Sequence, residues 1–167
     1  MDTIDNYRQR IEERKIVKQE TKTTIIICLC LLVLNIIYGV AAYFIDVDPV
    51  MKTESLEKIY GMVNLGVVMF LIVVLAVRKT IYYSPKFIRE DFNLRQVLVK
   101  WKRIDIFLLV ISEIIPICGL VMTFMGMPFD RNFHFFVASG ILIILLTPLS
   151  IKVRSRLSIL RKHFPNM

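Results

Sequence analysis

The chain is poor in the residues that most catalytic and cofactor chemistry needs. Its 167 residues include only two histidines, His134 and His163, which lie at an outer membrane edge and in the tail. No haem can therefore be held between intramembrane imidazoles, and no His/Cys/carboxylate set has the spacing of a zinc site. There is no G-x-x-x-x-G-K-[ST] and no G-x-G-x-x-G run, so no phosphate-cradling loop is encoded. A Ser–His–Asp relay or an intramembrane protease would need partners that the apolar segments lack. Three cysteines, Cys28, Cys30 and Cys118, make no disulfide framework,. Cys28 and Cys30 fall on different faces of one helix, and all three are expected to be packing residues. No N-x-[ST] glycosylation acceptor occurs. Strand-like alternation is absent from every apolar segment, which disfavours a barrel. The expectation is a non-enzymatic protein with no catalytic residues, no cofactor and no metal.

Apolar sequence is what the chain has in excess. Hydrophobic residues make up 56% and charged residues 22%. The apolar residues gather into four blocks of about 20, the length that spans the roughly 30 Å hydrocarbon core of a bilayer. The blocks are residues 24–45, 59–77, 106–127 and 133–151. The expected fold class is all-α: a polytopic membrane protein with four transmembrane helices, readable as two tandem helical hairpins, plus amphipathic interfacial helices. The first block follows a polar segment, 1–23, and no small-x-small cleavage site follows it, so it reads as a retained anchor.

Charge sets the orientation. Of 22 Lys and Arg residues, six lie in 1–23, eight between the second and third blocks, and five in the tail 152–167. Only Lys52, Lys58 and Arg131 lie in the other two connections. Four crossings put the 19 on one side, which places both termini in the cytoplasm of a multi-pass protein of a cell inner membrane.

Two basic segments explain the net charge of +8. Residues 84–104 read as a helix lying on the membrane: Ser84–Pro85 is a start signal, and Leu94, Val97, Leu98, Trp101 and Ile104 form an apolar stripe,. The tail repeats the pattern with Val153, Leu157, Leu160 and Phe164. Lys100, Trp101, Lys102, Arg103, Arg154, Arg156, Arg161 and Lys162 are the expected lipid-headgroup contacts. Anionic lipid of the cytoplasmic leaflet is the expected partner, worth about 1 kcal/mol per basic residue, and nucleic acid is not. In 1–23, Ile4, Tyr7 and Ile11 would form a thin stripe suited to a short helix or a docking site.

The halves of the chain resemble each other. LLVLNII at 31–37 corresponds to LLVISEII at 108–115, and in each half eleven residues separate a glycine, Gly66 or Gly140, from the next basic residue. A duplication would put Asn35 opposite Ser112–Glu113 across a pseudo-two-fold axis.

Glu113 carries the most information among the polar residues of the blocks. It lies about 10 Å past the cytoplasmic edge of the third span at 1.5 Å per residue, where a charge costs about 2.5–3.5 kcal/mol. Pro116 follows, and its missing N–H frees the carbonyl of Ser112. Asn35 and Tyr38 share a face of the first span, so an intramembrane polar cluster of Glu113, Ser112, Asn35 and Tyr38 is expected. Asn64 enters too far toward the outer side to touch Glu113. The cluster reads in two ways: a proton or cation site in a pathway, or a neutral Glu113 bonding Asn35 or Tyr38 as interhelical glue.

The expected role is an accessory, assembly, regulatory or immunity-type interaction subunit, acting as a homo-oligomer or within a larger membrane complex. The alternatives are a small oligomeric channel or ion-coupled transporter using Glu113, and a lipid-binding or lipid-translocating protein.

Overall fold

The computed structural model describes residues 2–45, 53–83, 94–148 and 153. They form five helices and no strand: α1 (Asp2–Phe44), α2 (Thr53–Tyr83), α3 (Leu94–Ser112), α4 (Ile114–Phe124) and α5 (Phe129–Leu146). The chain is all-α, as its periodicity requires. Four stretches are long and apolar enough to cross a membrane: Arg14–Phe44, Glu54–Ile81, Arg95–Phe124 and Phe129–Leu146. The third combines α3 and α4.

Helix α1 runs for 43 residues without interruption, about 65 Å at 1.5 Å per residue. It therefore continues about 35 Å beyond a hydrocarbon core of about 30 Å. The interruption between α3 and α4 falls at Glu113, where φ −66° and ψ −13° keep the backbone helical in direction. Its N–H bonds the Val110 carbonyl at 3.2 Å, three residues back, and Ile117 bonds the Glu113 carbonyl at 3.3 Å. Pro116, which has no N–H, explains why the regular ladder fails here.

Helices α4 and α5 join through a tight turn. Gly126 has φ 94°, the left-handed region where a side chain is strained. Met127 N–H reaches back to the Met122 carbonyl at 3.0 Å and Gly126 N–H to Thr123 at 2.9 Å, which together satisfy the orphan carbonyls at the end of α4. Pro128 then starts α5. Buried Asn132 ties the turn shut, donating to Thr123 Oγ1 at 3.0 Å and to the Met127 carbonyl at 3.2 Å.

The α4–α5 hairpin is the centre of the bundle. A Cβ on Gly119 would stand 2.9 Å from Phe135 Cβ and 3.2 Å from Phe136 Cζ, so only glycine permits this approach. Small residues serve this purpose between membrane helices, where dispersion replaces the hydrophobic drive. Leu109, Ile115, Phe135, Leu142 and Ile143 form the core, and α2 adds Val67 and Val74 from its side. Helix α1 packs on α5, α3 and α4; α2 packs on α3 and, less, on α4. The second hairpin is thus closed, whereas α1 and α2 each pack chiefly on the helices of the second half. The outer faces of α1 and α2 stay apolar, with Ile36 65% and Met62 72% exposed, which suits a lipid surround.

The segment expected to lie along the membrane surface is arranged differently. Leu94–Ile104 is the beginning of α3, continuous with the third span. Its stripe is covered by α1: Val97, Leu98 and Trp101 are 1%, 4% and 4% exposed, as is Val17 at 2%. The physical reason is the length of α1, which supplies a protein surface where a bilayer surface was expected. Ser84–Pro85 and the tail residues Arg154, Arg156, Arg161 and Lys162 lie outside the described residues.

Candidate functional site

Three levels of polar side chains are built into this bundle. The middle level holds Asn35, Ser112, Glu113 and Ser139, which are 6%, 0%, 9% and 0% exposed. Asn35 Nδ2 donates to the Phe136 carbonyl at 2.9 Å, which fixes the amide with Oδ1 turned the other way. Its neighbour is α5, where a Cβ on Gly140 would come within 3.3 Å of Nδ2. Ser112 donates to the Leu109 carbonyl at 2.6 Å in its own helix. Both Glu113 carboxyl oxygens, Asn35 Oδ1 and Ser139 Oγ are buried without a hydrogen-bond partner.

The expected cluster is therefore only partly assembled. Asn35 faces the α1–α5 seam instead of Glu113, and Tyr38, half-buried, enters no hydrogen bond among the described residues. Register explains the outcome. Gly119 lies against Phe135 and Phe136, and Asn35 lies against Phe136 and Gly140. Counting along antiparallel helices then puts Asn35, Glu113 and Ser139 within about one turn (~5 Å) of the same depth. They share a level, but the Phe136 carbonyl takes the Asn35 donor first. Asn64, expected to sit too far out for Glu113, pairs with His134 at 2.6 Å.

The second level, at the basic end of the bundle, was not foreseen. Arg78 Nε on α2 stands 3.4 Å from Asp105 Oδ1 on α3, both buried. The same guanidinium donates to the carbonyls of Leu145 and, at 2.6 Å, of Leu146. These carbonyls end α5, where helical partners run out and the helix dipole is negative. One cation thus joins α2, α3 and α5. Cys28 of α1, 2% exposed, lies beside Thr147 and within electrostatic range of this pair. The sequence held a sign of it: Asp105 interrupts the buried stripe Val97, Leu98, Trp101 and Leu108 at helical spacing. A carboxylate in that position needs a cation.

Beside Asp105 lies a cleft of about 20 Å³, lined among others by Glu20, Thr24, Trp101 and Lys102. Glu20 reaches Lys102 at 3.4 Å and Arg95 at 3.8 Å. Of the residues expected to meet lipid headgroups, Trp101 and Lys102 thus turn toward α1, while Arg103 is exposed and Lys100 half-buried. The third level caps the opposite end: Tyr60 donates to the Arg131 carbonyl at 2.6 Å, and Arg131 pairs with Glu57.

Chemically, no described cluster of three His, Cys, Asp or Glu could hold a metal. The arrangement offers one carboxyl inside the bundle, one buried ion pair and a rigid basic extension. Comparison with protein-family models, curated proteins and solved structures finds no match.

Proposed function

We propose that the chain is a non-enzymatic interaction subunit of a membrane, of the accessory, assembly, regulatory or immunity type. Its basic end faces the cytoplasm in this reading, with both termini on that side, because 19 of 22 basic residues gather there,. The observation that carries the proposal is the extension of α1 packed along the start of α3. Val17, Val97, Leu98 and Trp101 are buried in it, and Glu20 bridges to Arg95 and Lys102. A packed two-helix stalk beyond the membrane is a platform for another protein. Arg14, Lys15, Lys18 and Lys22 are exposed along it. The bundle completes itself by docking in a larger complex or on copies of itself.

Native mass spectrometry of the gently solubilised protein tests this. A different protein held in fixed ratio supports the subunit reading; the bare monomer at every detergent strength overturns it.

One observation favours a second reading, a small channel or proton- or cation-coupled transporter. Both oxygens of Glu113 are buried without a partner at the break in the third span, and an intramembrane acid without a structural bond is a candidate carrier group. A homo-oligomer whose flux in liposomes disappears in Glu113→Gln, with assembly intact, would establish this reading. Unchanged flux in that variant would dismiss it.

A further inference from the structure

One threonine of the bundle leaves its hydroxyl idle. Thr21, Thr123 and Thr147 each donate to the carbonyl four residues back, at 2.8, 3.0 and 2.9 Å, the ordinary way a helical threonine satisfies its side chain. Thr24, 1% exposed, does not: its Oγ1 is buried without a hydrogen-bond partner. Thr24 lines the cleft of about 20 Å³ at the basic end of the bundle, together with Glu20, Lys102 and Asp105. We propose that this cleft holds one ordered water, which accepts from the Thr24 hydroxyl of α1 and donates to the Asp105 carboxylate of α3.

Size, polarity and charge all select water. A water needs about 10–15 Å³ of free volume and two to four polar partners to hold it. The cleft has room for one and is lined by a hydroxyl, carboxylates and an ammonium; a polyatomic anion is too large for it. A cation gains little there. Asp105 already faces Arg78, and Glu20 already faces Lys102 and Arg95, so three cations meet two acids before anything binds. An ionised carboxylate has about four acceptor positions, so Asp105 can take a proton from water while it keeps Arg78. A buried hydroxyl left unpaired is costly, and a bridging water removes that cost nearly as well as a direct bond. Thr24 begins the apolar block 24–45, so the cleft lies at the edge of the hydrocarbon, where water is at hand. The bridge ties α1 to the ion pair that already joins α2, α3 and α5, and all four spans then share one polar node. The site does not depend on whether the bundle serves a partner protein or an ion.

Cys28, one turn along α1 from Thr24 and 2% exposed, reports on this bridge. With Cys30→Ser and Cys118→Ala it is the single cysteine, and its labelling by a small neutral maleimide in nanodiscs reads local opening of the basic end. Thr24→Val keeps the shape of the side chain and removes the hydroxyl. With the water in place, that variant should label about fivefold faster, the worth of one hydrogen bond. Without it, Thr24→Val only deletes an unpaired buried hydroxyl, so an unchanged or slower rate would overturn the site. Thr24→Ser keeps the hydroxyl and should label within about twofold of the parent. A rise equal to that in Thr24→Val would assign the effect to the lost methyl group and overturn the bridge as well. A structure of the full chain in lipid, at a resolution that shows ordered water, is the second measurement. Density is expected within hydrogen-bond distance of both Thr24 Oγ1 and the Asp105 carboxylate, and its loss is expected in Thr24→Val. An empty cleft, or a Thr24 hydroxyl turned onto the Glu20 carbonyl, would refute the assignment.

Discussion

Removing Arg78 should open the basic end of the bundle, and a single thiol can report how far. Arg78→Leu withdraws the guanidinium beside Asp105 and the donor to two carbonyls of α5. Asp105, 2% exposed, then loses the guanidinium that stood 3.4 Å away, and breaking a buried pair from one side costs about 3–5 kcal/mol. At about 1.4 kcal/mol per tenfold, the lower figure raises the local opening equilibrium roughly 150-fold. Cys28 is the natural probe because it is buried, beside Thr147 and within electrostatic range of this pair. A background of Cys30→Ser and Cys118→Ala leaves it as the single cysteine. Labelling by a small neutral maleimide in nanodiscs should then be slow in the parent, where it must wait for local opening. In Arg78→Leu it should be about 150-fold faster or more. Asp105→Leu added to Arg78→Leu should slow it again, because an apolar pair leaves no buried charge. Two results would refute the reasoning. One is an unchanged Cys28 rate in Arg78→Leu, with full labelling after unfolding in dodecyl sulfate. The other is a double variant that labels as fast as the two single effects multiplied.

Two further substitutions and one spectrum test the packing. Gly119→Ala pushes a methyl against Phe135 Cβ, which cannot swing away, and should destabilise the bundle by about 1–3 kcal/mol in a dodecyl sulfate unfolding titration. Gly66→Ala meets nothing within 4 Å and should be neutral, or stabilising by up to about 1 kcal/mol; equal losses at both glycines would contradict the close α4–α5 approach. The single tryptophan, Trp101, is 4% exposed between α3 and α1. Its emission should be blue-shifted and insensitive to headgroup-depth quenchers and to anionic lipid, and strong quenching would place it at a bilayer surface after all. In Glu113→Leu, assembly should be retained, since Glu113 makes no hydrogen bond to lose; dissociation on a sizing column would restore the glue role.

How much of this could be read in advance differs from residue to residue. Asp105 was legible in principle, as an acid on an apolar stripe, but its cation lay 27 positions away on α2 and no local pattern joins the two. Asn35 and Glu113 were correctly singled out as polar groups in apolar blocks. Their pairing failed because a side-chain amide takes the nearest carbonyl, and only the helix packing says that this is Phe136. Trp101 was read as a membrane-surface residue because apolar periodicity describes a face without saying what covers it.

The sequence by itself determined the all-α class, the four apolar spans and the freed carbonyl ahead of Pro116. Those follow from local physics: runs of about 20 apolar residues match a bilayer, and proline cannot complete a helical ladder. Only the tertiary structure decided which faces meet. It set the closed α4–α5 hairpin at Gly119, turned the α3 stripe onto α1, and gave the end of α5 to Arg78. Every apolar face gains by leaving water, whatever covers it, so hydrophobic pattern alone cannot choose between lipid and protein. Steric fit and the hydrogen-bonding needs of a few buried polar groups make that choice, and both exist only once the helices are side by side.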